Sequence, residues 1–154
     1  LVVCEAVIAL YDGGLPYVPV SPSMIIYQRR RPGTTGRGIV LLDFPTAHGS
    51  AQPAASEDVL APEQLRLPVS PALLGQATTI YQIAATLYRL VTHRRPDLPD
   101  QGPAPFAHVA HPAAPAALGV VLDRALAPRP SDRYQRVVDL VEPLRRIERE
   151  LRGS

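Results

Sequence analysis

The glycine-rich segment Gly33–Gly38 is the first candidate for chemistry, because closely spaced glycines let backbone N–H groups surround a phosphate. Its sequence, Gly-Thr-Thr-Gly-Arg-Gly, lacks the Lys-Ser or Lys-Thr pair that completes a phosphate-binding loop. The segment also lies between two predicted strands and does not open a helix. We therefore predict that it is the exposed tip of a hairpin.

Metal ligation and thiol chemistry find little support in the pattern of ligand residues. The histidines show no metal-ligand spacing with carboxylates or with the single cysteine, Cys4. These histidines are His48, His93, His108 and His111. Cys4 cannot form an internal disulfide, and its apolar neighbours favour a small core residue. We expect no metal, no disulfide and a reducing, cytoplasmic environment.

The charged residues exclude several further classes of function. All 16 basic residues are arginine, so a Schiff-base lysine and a phosphate-loop lysine are both excluded within the chain. The net charge is only +2, and apart from Arg29-Arg30-Arg31 the basic residues are interspersed with acids, so no nucleic-acid partner is expected.

No apolar run approaches the roughly 18 to 20 residues that span a bilayer, so no membrane segment is expected. Since Leu1 is not an initiator methionine, we expect that the natural start and any targeting signal have been removed.

The elements that must position any site are mainly helical. Apolar residues at helical spacing predict helices over residues 2–10, 78–92, 118–125 and 137–151. The first helix should end at Gly13-Gly14, since glycine adopts the left-handed conformation that closes a helix. The β-prone runs at residues 24–27 and 39–42 flank an Arg- and Gly-rich loop and predict a hairpin.

Two connections lack any periodicity. Residues 45–58 consist largely of Ala, Ser, Gly, Pro and His and are predicted to form an exposed loop. Residues 95–115 are proline-rich and are predicted to cross the surface as an extended connection. We predict one domain over residues 1–154, mainly α (α+β), with a helical bundle and a small β-hairpin.

The order of these elements resembles the C-terminal, large lobe of bacterial eukaryotic-like Ser/Thr protein kinases. Residues 14–26 (Gly-Leu-Pro-Tyr-Val-Pro-Val-Ser-Pro-Ser-Met-Ile-Ile) align without gaps on the catalytic loop and the strand after it. Residues 39–47 (Ile-Val-Leu-Leu-Asp-Phe-Pro-Thr-Ala) resemble the strand and Asp-Phe-Gly turn that open the activation segment, and residues 61–64 (Ala-Pro-Glu-Gln) resemble its closing motif. Residues 79–90 are similar to the central helix, and residues 124–134 to the segment that carries a near-universal arginine. The resemblance implies a kinase-like large lobe with no small lobe in the chain.

The resemblance also implies that the chemistry of the catalytic loop is lost. Pro19, Ser21 and Met24 stand at the positions of the catalytic aspartate, the lysine and the metal-binding asparagine. Proline has no carboxylate, serine has no positive charge, and a thioether is a poor ligand for a hard cation such as magnesium. Phosphoryl transfer depends on a positioned carboxylate, a cation and metal ligands. The resemblance therefore implies a degenerate pseudokinase and no enzyme.

Further positions of interest follow from the same resemblance. Asp43 keeps the family's residue and is a weak candidate for holding a metal on a nucleotide, the alternative being a local hydrogen bond to the backbone. Pro45 replaces a hinge-like glycine, and Thr79 replaces the aspartate that ties the central helix to the catalytic loop. Glu63 and Arg133 should form a buried bidentate ion pair, the alternative being two solvated charges.

We therefore expect a protein-interaction or regulatory module within a larger bacterial protein, with residues 45–58 and 95–115 as its contact surfaces. It should need no cofactor and should not bind ATP. One alternative is a nucleotide-binding or weakly active kinase-like enzyme, completed by a small lobe outside this chain and using Asp43. A second alternative is a purely structural or oligomerisation domain.

Overall fold

Four α-helices and one pair of strands form the regular structure of the residues that this computed structural model describes, which are 1–27, 39–41, 59–65, 74–96 and 115–153. The helices are α1 (Val2–Asp12), α2 (Gln76–Thr92), α3 (Ala116–Ala125) and α4 (Val137–Gly153). The strands are β1 (Ile25–Tyr27) and β2 (Ile39–Leu41). Short 3₁₀ turns at Pro22–Met24, Pro62–Gln64 and Pro130–Asp132 each begin with a proline, which suits a first position where no N–H is needed. The mainly helical architecture is the one predicted.

A glycine turn ends α1 and redirects the chain. The N–H groups of Gly13 and Gly14 bond to the carbonyls of Ala9 and Tyr11, which satisfies two carbonyl groups of the last turn. Gly14 has φ = 89°, in the left-handed region that costs a residue with a side chain about 1 to 2 kcal/mol. The chain then continues as residues 15–24, whose backbone hydrogen-bonds to side chains of α2.

α2 lies at the centre of the fold and is buried along most of its length. α3 and α4 both pack against α2, and α1 packs against α4. The buried apolar side chains come from all four helices and from residues 15–24, and they include Cys4, Val7, Val18, Val20, Ile80, Tyr81, Ile83, Leu122, Val137 and Leu140. Burial of such apolar surface stabilises the fold by roughly 25 cal/mol per Å² removed from water. Leu90, predicted to continue the buried stripe of α2, is instead 67% exposed.

The two strands pair antiparallel, with Ile26 opposite Val40. Met24, which the β-prone pattern includes in the first strand, instead ends the preceding 3₁₀ turn. Its N–H bonds to the carbonyl of Ser21 and so closes that turn before the ladder begins. Residues 28–38, which contain the predicted hairpin tip, lie outside the described residues.

α4 is amphipathic. Val137, Leu140, Val141 and Ile147 face the core, whereas arginine and glutamate side chains on the opposite face form exposed ion pairs. Within the described ranges, no helix combines the length and apolar character that crossing a membrane requires. The predicted loop 45–58 and residues 97–114 of the proline-rich connection lie outside the described part of the chain.

Candidate functional site

Residues 15–24 lie in the segment that resembles a kinase catalytic loop, and Pro19, Ser21 and Met24 within it are closed to solvent. Ser21 is 0% exposed and Met24 is 6% exposed, and Pro19 is also buried. The hydroxyl of Ser21 shares a hydrogen bond of 2.7 Å with that of Ser23. A loop that transfers a phosphoryl group must present a carboxylate and a cation to its substrates. This loop presents neither, because its side chains at these positions are uncharged and buried.

Val18 is held on both sides by a closed ring of hydrogen bonds. The hydroxyl of Thr79 donates to the carbonyl of Val18 at 2.6 Å. Because this uses the only hydrogen of that hydroxyl, Tyr11 must be the donor in the 2.6 Å hydrogen bond between Tyr11 and Thr79. The N–H of Val18 in turn donates to the Tyr11 hydroxyl at 3.3 Å. The ring attaches the loop to α1 and α2 without any charged group, and each bond polarises the next.

Gln82 is the centre of a second set of neutral hydrogen bonds. Its Oε1 accepts from the N–H of Val20 at 2.9 Å. Its Nε2 donates to the Tyr17 hydroxyl at 2.9 Å and to Gln64 Oε1 at 3.0 Å. Gln64 Oε1 also accepts from the N–H of Ala61 at 2.9 Å, and Gln64 Nε2 donates to the Tyr17 hydroxyl at 3.2 Å. These bonds join the loop, α2 and the turn that contains Gln64.

The two tyrosines of these networks keep their protons at neutral pH. Burial raises the pKa of Tyr17 to about 12 and outweighs the hydrogen bonds from Gln82 and Gln64. Burial likewise raises the pKa of Tyr11, against the opposing effect of its bonds to Thr79 and Val18. A general base is most effective when its pKa lies near the operating pH. The networks therefore position backbone and do not supply acid–base chemistry.

Arg133 has all its guanidinium N–H groups in hydrogen bonds. Nη1 donates to Glu63 Oε1 at 2.8 Å, and Nη2 donates to Glu63 Oε2 at 2.9 Å. The remaining donors reach backbone carbonyls: Nε that of Ala127 at 2.7 Å, Nη1 that of Ala77 at 3.1 Å, and Nη2 that of Pro128 at 3.0 Å. A guanidinium has five N–H donors, so none is left over. The side chain is 0% exposed and joins the Pro62–Gln64 turn, the start of α2 and the turn after α3.

Glu63 is the ionised partner of this contact. Burial raises the pKa of the Glu63 carboxyl, but the hydrogen bonds and positive charge of Arg133 outweigh burial and hold that pKa below its usual value. The hydroxyl of Thr78 adds a further hydrogen bond to Glu63 Oε1 at 2.8 Å. The Tyr81 ring lies 4.8 Å from the Arg133 guanidinium carbon, within the range of a cation–π contact. Both carboxylate oxygens face donors of the chain itself, so the pair is structural.

The other residues that the sequence singled out add no functional group to this site within the described part of the chain. Asp43 and Pro45 lie outside the described residues. His93 is exposed just after α2, and Cys4 is buried in the core, where burial raises the pKa of its thiol. In the part of the chain that is described, no three His, Cys, Asp or Glu side chains form a group that could hold a metal ion.

Sequence reasoning missed Tyr11, Gln64 and Gln82 as residues that position the loop. One signal was present: Thr79 and Gln82 are three positions apart and therefore share a face of α2. Polar side chains on a helix that is otherwise predicted to be buried must find hydrogen-bond partners. Thr86 continues this face, and its buried hydroxyl has no partner among the described residues.

Comparisons with known proteins bear on the fold. No protein-family model and no curated protein matches the sequence. Among solved structures 43 chains match, and one of them is the crystal structure of the Mycobacterium tuberculosis PknI kinase domain, as a double mutant. It is 24% identical in sequence, with a TM-score of 0.64, and the match covers 94% of this chain and 50% of the PknI chain. The chain thus spans about half the length of that kinase domain. Together with the helix order and the Arg133–Glu63 contact, the match shows that this chain has the fold of the large lobe of a protein kinase.

Proposed function

We propose that this chain is a catalytically inactive kinase-like lobe that serves as a protein-interaction or regulatory module. The observation that carries this proposal is the chemistry of positions 19, 21 and 24, where Pro19, Ser21 and Met24 are uncharged and buried. A positioned general base contributes typically about 10² to 10⁴ in rate, and a proline cannot act as one. The electrostatic stabilisation that a metal and a nearby cation supply to the transferred group is also missing from this loop.

The hydrogen-bond networks support a role that requires no nucleotide. The Val18–Tyr11–Thr79 ring and the Gln82 network hold residues 15–24 in place with side chains of the chain itself, so the loop needs neither nucleotide nor metal to order it. The module is proposed to contact its partner through residues 45–58 and 95–115, whose lengths and compositions favour exposed connections.

Thermal unfolding with and without ATP and magnesium tests the loss of nucleotide chemistry. The midpoint should be unchanged at millimolar nucleotide, both for this chain and for the intact protein if the sequence is drawn from a longer one. A ligand at 100 times its Kd stabilises by about 2.7 kcal/mol, which corresponds to a rise of several degrees. An active protein kinase measured in parallel serves as the positive control.

The alternative of a nucleotide-binding enzyme gives a different result in the same experiment. It predicts a rise in the midpoint of the intact protein that is lost on Asp43→Asn. Such a rise, or transfer of labelled phosphate from ATP that Asp43→Asn abolishes, would contradict the proposal that the chain is catalytically inactive.

The interaction role has its own test. The intact protein carrying a Gly-Ser segment of equal length in place of residues 45–58 should lose its partner while its unfolding midpoint stays unchanged. The same replacement in residues 97–114 tests the second surface. Retention of the partner by both variants contradicts the proposed contact surfaces.

A further inference from the structure

A groove of about 450 Å³ opens on the surface between α1 and the first turns of α2 and α4. It is lined by Ile8, Tyr11, Asp12, Gln76, Arg136 and Val138. Gln76 Oε1 accepts the N–H of Val137 at 2.9 Å, which fixes the start of α4 against α2 and makes the groove a preformed feature. An acid on α1, Asp12, and a base just before α4, Arg136, border its apolar residues.

The far end of α4 presents a complementary pattern. Leu151 is 61% exposed and stands between Glu150 and Arg152. The exposed large apolar residues of the described ranges are Leu65, Leu90, Val120, Val138 and Leu151. Of these, Leu151 alone has an acid on one side and a base on the other in the sequence. Successive residues of a helix project about 100° apart, so Glu150 and Arg152 lie on opposite sides of Leu151.

Leu151 cannot enter the groove of its own chain. Val138 lines the groove at the beginning of α4, whereas Leu151 lies at the end of the same helix. At 1.5 Å per residue the two positions are separated by roughly 20 Å along a rigid helix. Any contact between Leu151 and this groove must therefore join two molecules.

We propose that the groove binds the end of α4 of a second copy of this chain. Leu151 would lie between Ile8 and Val138, with Arg152 directed toward Asp12 and Glu150 toward Arg136. The helix end and the groove each carry one acid and one base beside apolar residues, so their charges are complementary in sign.

The two arginines of the proposed contact, Arg136 and Arg152, can exchange partners at little cost. Arg152 pairs with Glu148 within its own helix, and Arg136 lies 3.9 Å from Asp139. Both pairs are exposed, and such pairs contribute at most about 1 kcal/mol each.

The contact is heterologous, because one patch on each copy meets a different patch on the next. Copies therefore add head to tail into chains or rings. The patches are small, so the affinity belongs to the weak, micromolar to millimolar range of transient contacts. The proposal goes beyond the interaction role above and does not depend on the loss of catalysis.

Analytical ultracentrifugation from about 10 µM to about 1 mM covers the affinity expected of such a contact. The average mass of the unmodified chain should rise with concentration. Leu151→Asp and Val138→Asp should each weaken association at least tenfold. Val138→Asp places a carboxylate in the first turn of a helix, where it is well tolerated, so the variant should fold.

A mixture of the two variants gives the most specific readout. Each variant retains the patch that the other has lost, so an equimolar mixture should form dimers and nothing larger. An unmodified chain that stays monomeric throughout, or a mixture that forms no dimer, overturns the proposal.

Two controls distinguish this contact from nonspecific association. Leu90→Asp changes an equally exposed leucine on α2 and should associate like the unmodified chain. Asp12→Arg should weaken association, and the double variant Asp12→Arg/Arg152→Asp should recover it, because the two charges are exchanged. Unfolding midpoints close to that of the unmodified chain establish that each variant is folded. Association that survives both Leu151→Asp and Val138→Asp would place the contact elsewhere and overturn the proposal.

Discussion

Arg133 and Glu63, 70 positions apart in the sequence, are joined by two parallel hydrogen bonds of 2.8 and 2.9 Å. The fork of the guanidinium matches the two oxygens of the carboxylate, and three backbone carbonyls take its remaining N–H groups. The contact is buried, so removing either residue would leave the charged group of the other without a partner in an interior that water does not reach. Its contribution to stability can be measured directly.

Arg133→Lys should destabilise the fold although it keeps the charge. Lysine has three donors in place of five and lacks the planar fork, so at least two acceptors lose their partner. We expect a loss of about 2 to 4 kcal/mol in the free energy of unfolding, measured by urea denaturation. Arg145→Lys is the control, since Arg145 is exposed and makes one contact of 3.3 Å with Glu5. Equal effects of the two substitutions would contradict the structural role of Arg133.

The pH dependence of stability should report the pKa of Glu63. Because that pKa is lower in the folded state than the unfolded value of about 4.3, the stabilisation is present above about pH 4.3 and is lost as the pH falls through the folded pKa. The unmodified chain should therefore exceed Glu63→Gln in stability by a constant amount between about pH 6 and 8. The difference should shrink below about pH 4. Urea denaturation over a pH series measures it, and a difference that persists unchanged to about pH 3 would argue against this assignment.

Thr79→Val and Tyr11→Phe should show strong coupling. Thr79→Val leaves the Val18 carbonyl without a donor and the Tyr11 hydroxyl without an acceptor, at an expected cost of about 1 to 3 kcal/mol. The double variant should cost less than the sum of the single ones by about 0.5 kcal/mol or more, because both belong to one ring. Thr79→Ser keeps the hydroxyl and is the matched control. Additive free energies of unfolding would show that the ring does not act as a unit.

Ser21→Lys should cost far more stability than Ser23→Lys. Both substitutions remove the same hydrogen bond between the two serines, but Ser21 is buried and Ser23 is exposed. The first should lose about 3 kcal/mol or more, and the second about 1 kcal/mol or less. Burial disfavours the charged form of a lysine, so the penalty of Ser21→Lys should shrink as the pH rises toward about 10. Similar unfolding midpoints for the two variants would mean that position 21 has access to water.

His93→Gly should stabilise the chain. His93 follows α2 with φ = 57° and ψ = 18°, and its N–H bonds to the carbonyl of Arg89 in a left-handed helix end. Glycine adopts this conformation without strain, so we expect a gain of about 0.5 to 1 kcal/mol and a higher thermal midpoint. Arg94→Gly, at the next position, should not stabilise, because Arg94 does not have a positive φ. A lower midpoint for His93→Gly would show that its side chain makes a favourable contact.

Much of the helical framework could be predicted from local pattern. The first helix was predicted over residues 2–10 and extends to Asp12, and the central helix was predicted over 78–92 and begins two positions earlier. Both were found because the 3.6-residue period is strong and glycine or proline marks the ends. The kinase-like lobe followed from the order of four motifs and not from any one of them.

The networks around residues 15–24 could not be predicted in this way. Tyr11 bonds to Thr79 across 68 positions, and Tyr17 bonds to Gln82 across 65. The periodicity of one helix does not indicate which residue of a distant segment will contact it. A polar residue on a buried face implies a partner but does not name it. For the same reason, the expectation for Glu63 and Arg133 came from the family resemblance alone.

The burial of position 21 limits how such a sequence can change. An aspartate at position 19 or a lysine at position 21 would place an ionic group where the side chain is now buried away from solvent. Selection would meet lower stability at the first step and a functional benefit, if any, only at the last. The packing that stabilises this fold therefore also opposes the introduction of charged residues at these positions one substitution at a time.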